Sequence, residues 1–215
     1  MPTLSQWRDT WRQLGFAAAD EGLFREVMGR YGEPHRRYHT PQHLAECFEN
    51  FRQLEASARR PGEIGLALWF HDAIYDVASR DNEARSAEWA AGSLLSLGRA
   101  QGTAAEVLEA VAARVRTLIM ATRHDAVPEG TDAQILVDVD LWILGAPAER
   151  FDEYERQVRE EYRHIPGPVF RHKRAAILTG FLERPRLFGT PLFLERYEPQ
   201  ARANLARSLR RLGGD

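Results

Sequence analysis

The 215 residues carry 29 basic against 31 acidic side chains, a formal net charge of -2, and 44% of them are hydrophobic. That length suits one domain with a sizeable core. The balanced charge excludes a general nucleic-acid binder, whose phosphate contacts need a basic surface, while leaving room for a local pocket that takes one small phosphate. Cys47 is the sole cysteine, so neither an internal disulfide nor a cysteine-based zinc cluster can form, as suits a reducing cytoplasm. The start carries Trp7, Arg8, Asp9 and Trp11 where a signal peptide would place a basic run and an apolar stretch. The longest apolar stretch, Ile64 to Phe70, is far short of the ~20 residues that span a bilayer. A cytoplasmic protein without membrane contact is expected. Lys173 is the only lysine, and the arginines are spread along the chain as a genome bias would leave them.

Helical periodicity runs from end to end. Leu4, Trp7, Trp11 and Leu14 recur at helical spacing, as do Leu23, Val27 and Met28. Core packing is the expected use of the two tryptophans. Tyr31 to Tyr38 is a turn-rich break with Gly32 and Pro34. Thr40-Pro41 then reads as a helix start, threonine capping and proline in the first helical position. A more apolar helix is predicted over Glu63 to Ile74, hydrophobic on most sides and hence central. Further helices are predicted over Asn82 to Leu97, Ala104 to Ala121, and Asp132 to Leu144 with Gly145 as its C-cap. Ala148 to Arg163, the stretch from Pro168 to Leu182, and Leu192 to Leu212 complete the set. No strand pattern, repeat or low-complexity segment interrupts it. The pattern predicts an all-α, single-domain bundle of about nine or ten helices, with nothing to mark a second domain.

The informative residues are polar and sit where a purely structural sequence would be apolar. Arg36, Tyr38, His39 and His43 fall in RRYHTPQHL, so two imidazoles approach one place from a loop and from a first helical turn. His71 and Asp72 follow seven largely apolar residues, and the apolar Ala73-Ile74-Tyr75 continues past them. A buried carboxylate costs several kcal/mol unless paired or bound to metal. Asp138 and Asp140 alternate with apolar residues in QILVDVDLWILG, and one solvated helix face does not explain both. Imidazole and carboxylate together suit manganese, iron, cobalt, nickel or zinc, and to a lesser extent magnesium.

The order H…HD…D resembles the HD superfamily of metal-dependent phosphohydrolases. YHTPQHL is similar to the histidine motif of cyclic-nucleotide phosphodiesterases, and VDL to the motif holding the family's last aspartate. DNEARSAEWA, DVDLWILG and EPQARANL extend the likeness over most of the chain, toward a bacterial group of predicted HD-type phosphohydrolases. The resemblance implies an HD-type helical domain with a metal-site core over about 36–145 and the C-terminal helices 146–215 packed on it. It implies His43, His71, Asp72 and Asp140 as metal ligands and His39 as general acid, with Asp72 and Asp140 also orienting the attacking water. Neither the purine-clamping glutamine of the cyclic-nucleotide enzymes nor the extra Glu-Asp pair of guanosine tetraphosphate hydrolases can be placed. The expected substrate is therefore a nucleotide or another small phosphoester or phosphoanhydride.

Further residues are candidates for a supporting or substrate role. Asp76 would share a helix face with Asp72. His124 would serve as a second-metal ligand or phosphate contact, and Arg36 or Arg123 as a phosphate clamp. Two other functions fit the same residues: a di-iron oxygenase, which needs more ligands and makes His124 decisive, and a non-catalytic metal- or nucleotide-binding module. A zinc protease is excluded, because HTPQH has the spacing but lacks the glutamate base.

Overall fold

Local signals decide where the first helices start, and the computed structural model, which describes residues 1–213, shows them at work. Thr3 and Gln6 form a reciprocal capping box at α1 (Leu4–Gln13). The Asp20 carboxylate accepts from the N–H groups of Gly22 and Leu23 at α2 (Glu21–Tyr31). Thr40 caps α3 (Pro41–Leu54), with Pro41 opening the helix. The chain continues through α4 (Pro61–Phe70), α5 (Asn82–Ala100), α6 (Ala105–Ala121) and α7 (Thr131–Leu141). After a 3-10 turn at Trp142–Gly145 come α8 (Ala148–Glu161), α9 (Gly167–Leu182) and α10 (Pro191–Gly213). Among the described residues there are thus ten α-helices and no strand, the all-helical class that the periodicity predicts.

The helices gather into two compact units, one ending at Val137 and the other beginning at Asp138, so that the boundary falls within α7. In the first unit α4 is the axis. Every residue from Gly62 to Phe70 is buried, because a helix that is apolar all round finds partners on all sides. It packs against α1, α3, α5 and α6. Trp7 and Trp11 are fully buried and meet edge to face, and Trp7 meets Trp69 of α4 in the same way at 5.3 Å. No side chain of its own caps α4. The Asp132 carboxylate at the start of α7 instead anchors the two residues that lead into it, accepting from the Arg59 and Arg60 N–H groups at 2.8 and 3.1 Å.

In the second unit α10 packs against α9 and the 3-10 turn around Phe151, Phe188, Phe193 and Leu205. Buried Asn204 donates to the carbonyls of Leu144 and Ala146 at 2.9 and 2.8 Å, fixing the turn. Gly145 is not the helix C-cap the sequence suggests, since α7 ends at Leu141 and Gly145 closes the 3-10 turn. Its role is close approach. A Cβ there would lie 2.7 Å from the Tyr197 Cβ and 2.8 Å from the Tyr197 carbonyl oxygen. Among the described residues no helix is long and apolar enough to cross a membrane.

Candidate metal centre

The cap on α3 sets the first candidate ligand. With the Thr40 hydroxyl accepting from the Gln42 N–H at 3.3 Å and Pro41 leading the helix, His43 falls in the first turn, facing inward and 3% exposed. One turn further on the same face lies buried Cys47, its Sγ 3.7 Å from His43 Nε2.

The second group sits at a helix end rather than inside a helix. The sequence suggests a helix to Ile74, but α4 stops at Phe70 and His71 is its C-cap. The bonds a longer helix would need are diverted: the His71 ring takes the Leu68 carbonyl, the Ala73 N–H turns to the Phe70 carbonyl three residues back, and the Ile74 N–H donates to the Ser86 hydroxyl at 3.1 Å. The turn that follows is held by another segment. Arg36 donates to the carbonyl oxygens of Asp72 and Ala73 at 2.6 and 3.0 Å. The helix end is not a solvent exit either, as His71 is 1% exposed. Its ring is oriented by its own helix: Nδ1–H donates to the Leu68 carbonyl at 2.8 Å. A carbonyl can only accept, so the Nε2 lone pair faces the centre, as in histidines that bind metal.

Three donor atoms then form a triangle. His43 Nε2 and His71 Nε2 are 3.1 Å apart, and Asp72 Oδ2 lies 3.3 Å from the first and 3.1 Å from the second. An ion about 2.1 Å from each donor would see them about 95–105° apart, between octahedral and tetrahedral values. The residues therefore fit a divalent metal. His43, Cys47 and His71 also offer ligand atoms that all lie within 4.8 Å of one another, so a soft sulfur stands beside the nitrogen and oxygen donors. Burial opposes ionisation of Asp72, but the fields of His71 and His39 and the contact with His43 outweigh it and hold the carboxyl well below the usual range.

His39 precedes the α3 cap and is half-buried. Its ring stacks on Tyr75 at 4.0 Å and meets Tyr38 edge to face at 4.9 Å. This ring is 6.0 Å from that of His43, so the structure brings His39, His43, His71 and Asp72 together.

Arg36 is not placed to clamp a phosphate. Its side chain is 0% exposed, and it is spent on the Asp72 and Ala73 carbonyls, the His39 carbonyl at 3.3 Å and the Glu33 carboxylate at 3.1 Å. It braces the His39 loop against the His71-Asp72 turn. Asp76 does not share a helix face with Asp72, because α4 has ended. It lies in an exposed loop, where its carboxylate accepts from the Ala78 N–H at 2.9 Å. His124 lies in the turn after α6 with φ of 58°, and exposed Arg123 pairs with Asp125 at 3.1 Å.

The two aspartates of α7 belong to the second unit and differ. Asp138 is 1% exposed and anchors a loop, accepting from the Gly189 and Thr190 N–H groups at 2.7 Å each and from the Thr190 hydroxyl at 2.5 Å. Burial pushes its carboxyl up, against those hydrogen bonds. Asp140 is half-buried in the last turn of α7.

Sequence reasoning missed two neighbours of the centre. Cys47 was legible as the fourth residue after His43, the spacing that puts both on one helix face. Tyr31 gave no signal. Its hydroxyl is buried with no hydrogen-bond partner among the described residues. Burial pushes it up to about 12, within the fields of His71, Asp72, His43 and Arg36. Arg36 lies over its ring at 5.4 Å.

Comparison of the chain with family models, curated proteins and solved structures returned no match.

Proposed function

We propose that this chain is a metal-dependent phosphohydrolase of the HD type, acting on a nucleotide or another small phosphoester or phosphoanhydride. The observation that carries this reading is the triangle of His43 Nε2, His71 Nε2 and Asp72 Oδ2, with the ring of His39 beside it. Asp140 is the fourth ligand in this proposal, on the strength of its sequence motif, while Asp138 is committed to the Gly189-Thr190 loop. A divalent ion held by these residues would supply Lewis acidity, activating water near neutral pH and offsetting phosphoryl charge.

The chain's own groups supply the rest. Asp72, held ionised, orients the attacking water through its carboxylate. His39, kept in place by the stacked Tyr75, donates a proton to the leaving oxygen. The Arg36 brace fixes the spacing between the two by holding both backbone segments.

The test is phosphate release from a panel of nucleotides and generic phosphoesters. Metal-stripped protein is reloaded in turn with manganese, iron, cobalt, nickel, zinc and magnesium, beside an Asp72→Ala variant. Metal-dependent release that vanishes in the variant is expected. Protein shown to hold metal but releasing no phosphate from any member would overturn the reading, in favour of a di-iron oxygenase or a binding module.

A further inference from the structure

The second unit contains a cleft of about 560 Å³ that no residue of the metal centre lines. Its walls come from α8 and the turn after it, the first turn of α9, and the C-terminal end of α10. Five arginines line it (Arg156, Arg159, Arg163, Arg171 and Arg211) against three carboxylates, those of Asp152, Glu155 and Glu160. Two of the three are already neutralised. Asp152 pairs with Arg207 and Arg211 at 3.0 and 2.9 Å. Glu155 accepts from Arg174 and, at 2.7 Å, from the Ser208 hydroxyl. Arg156, Arg163 and Arg171 are exposed and have no carboxylate partner among the described residues. A chain of net charge -2 thus concentrates unpaired cations in one concavity.

Two features pre-organise the space. Arg159 is fixed by donating to the carbonyls of Tyr162 and Ile165 at 2.6 and 3.1 Å, and it lies 4.7 Å over the Phe170 ring. The 16-residue α9 begins in the cleft at Gly167, and no side chain caps its N-terminus. The N–H groups of Gly167 and Val169, with the positive end of the helix dipole, therefore add to the arginines, although Pro168 contributes none.

We infer that this cleft binds a phosphate-bearing small anion. Its volume is that of a small-molecule site, and guanidinium forks match phosphate oxygens in pairs. The inference does not depend on the phosphohydrolase reading, and either can fail alone.

The experiment is isothermal titration of the metal-free full chain with inorganic pyrophosphate at low salt. The variants are Arg163→Ala, Arg171→Ala, His71→Ala at the metal centre and Arg80→Ala, an exposed arginine outside the cleft. One-to-one binding is expected, weakened about tenfold by each cleft substitution and changed less than about twofold by the other two. Arg163→Lys and Arg171→Lys keep the charge without the fork and should fall between, which guards against an alanine variant that misfolds. A parallel titration with adenosine monophosphate separates an organic from an inorganic phosphate, and the cleft substitutions should weaken whichever binds. Three results would overturn the inference: no binding at about millimolar pyrophosphate, equal loss in Arg80→Ala, or loss in His71→Ala with the cleft variants unaffected.

Discussion

Replacing Arg36 by methionine removes the brace of the candidate metal centre while keeping the length of the side-chain stem. The guanidinium is wholly buried and donates to three backbone carbonyls and to the Glu33 carboxylate. Losing one partner of a buried charged pair costs roughly 3–5 kcal/mol. Glu33 keeps 28% side-chain exposure and can rehydrate, so the low end, about 3–4 kcal/mol, is the expected destabilisation. With a urea slope of about 2–3 kcal/mol per molar, the midpoint should fall by about 1–2 M. Tryptophan fluorescence is the natural assay, because Trp7, Trp11, Trp69 and Trp89 all lie in the first unit. The same variant should lose metal affinity by at least about tenfold, since the His71-Asp72 turn is no longer tied to the His39 loop. Arg36→Lys should recover less than half of the stability, as an ammonium cannot span three carbonyls. A midpoint within about 0.3 M of the parent would refute the brace.

Two further outcomes follow from other parts of the molecule. Asp72 has a folded pKa below its unfolded value, so it stabilises metal-free protein fully above the ordinary carboxylate range, and that contribution disappears as pH falls through the folded value. Urea midpoints measured in chelator from about pH 6 downward should therefore drop less steeply in Asp72→Asn, and an unchanged slope would count against the histidine contacts. Gly145→Ala forces a Cβ against the backbone of Tyr197 and should destabilise the second unit by about 1–3 kcal/mol, read as an earlier Trp142 transition; a neutral result would mean that α10 can shift.

The helices were written in local chemistry. Thr3, Asp20 and Thr40 each supply a cap that depends only on the next three residues, and α4 is apolar on every side because it is buried on every side. The metal-centre candidates His43, His71 and Asp72 were legible for the opposite reason: polar groups in apolar surroundings need a partner. What other polar candidates would do was not legible. Arg36 and Asp138 look like site residues in the sequence. Tertiary contact makes the first a brace and the second a loop anchor, because their hydrogen-bond partners, at Ala73 and Thr190, lie 37 and 52 positions away. The end of α4 was hidden for the same reason: propensity carries a helix on through Ala73 and Ile74, but the Ile74 N–H donates to the Ser86 hydroxyl of α5, and a buried guanidinium from another segment holds the turn by the Asp72 and Ala73 carbonyls. Composition and spacing could say which side chains must find partners; only the folded chain, by bringing distant backbone within hydrogen-bonding range, decided which partners they found.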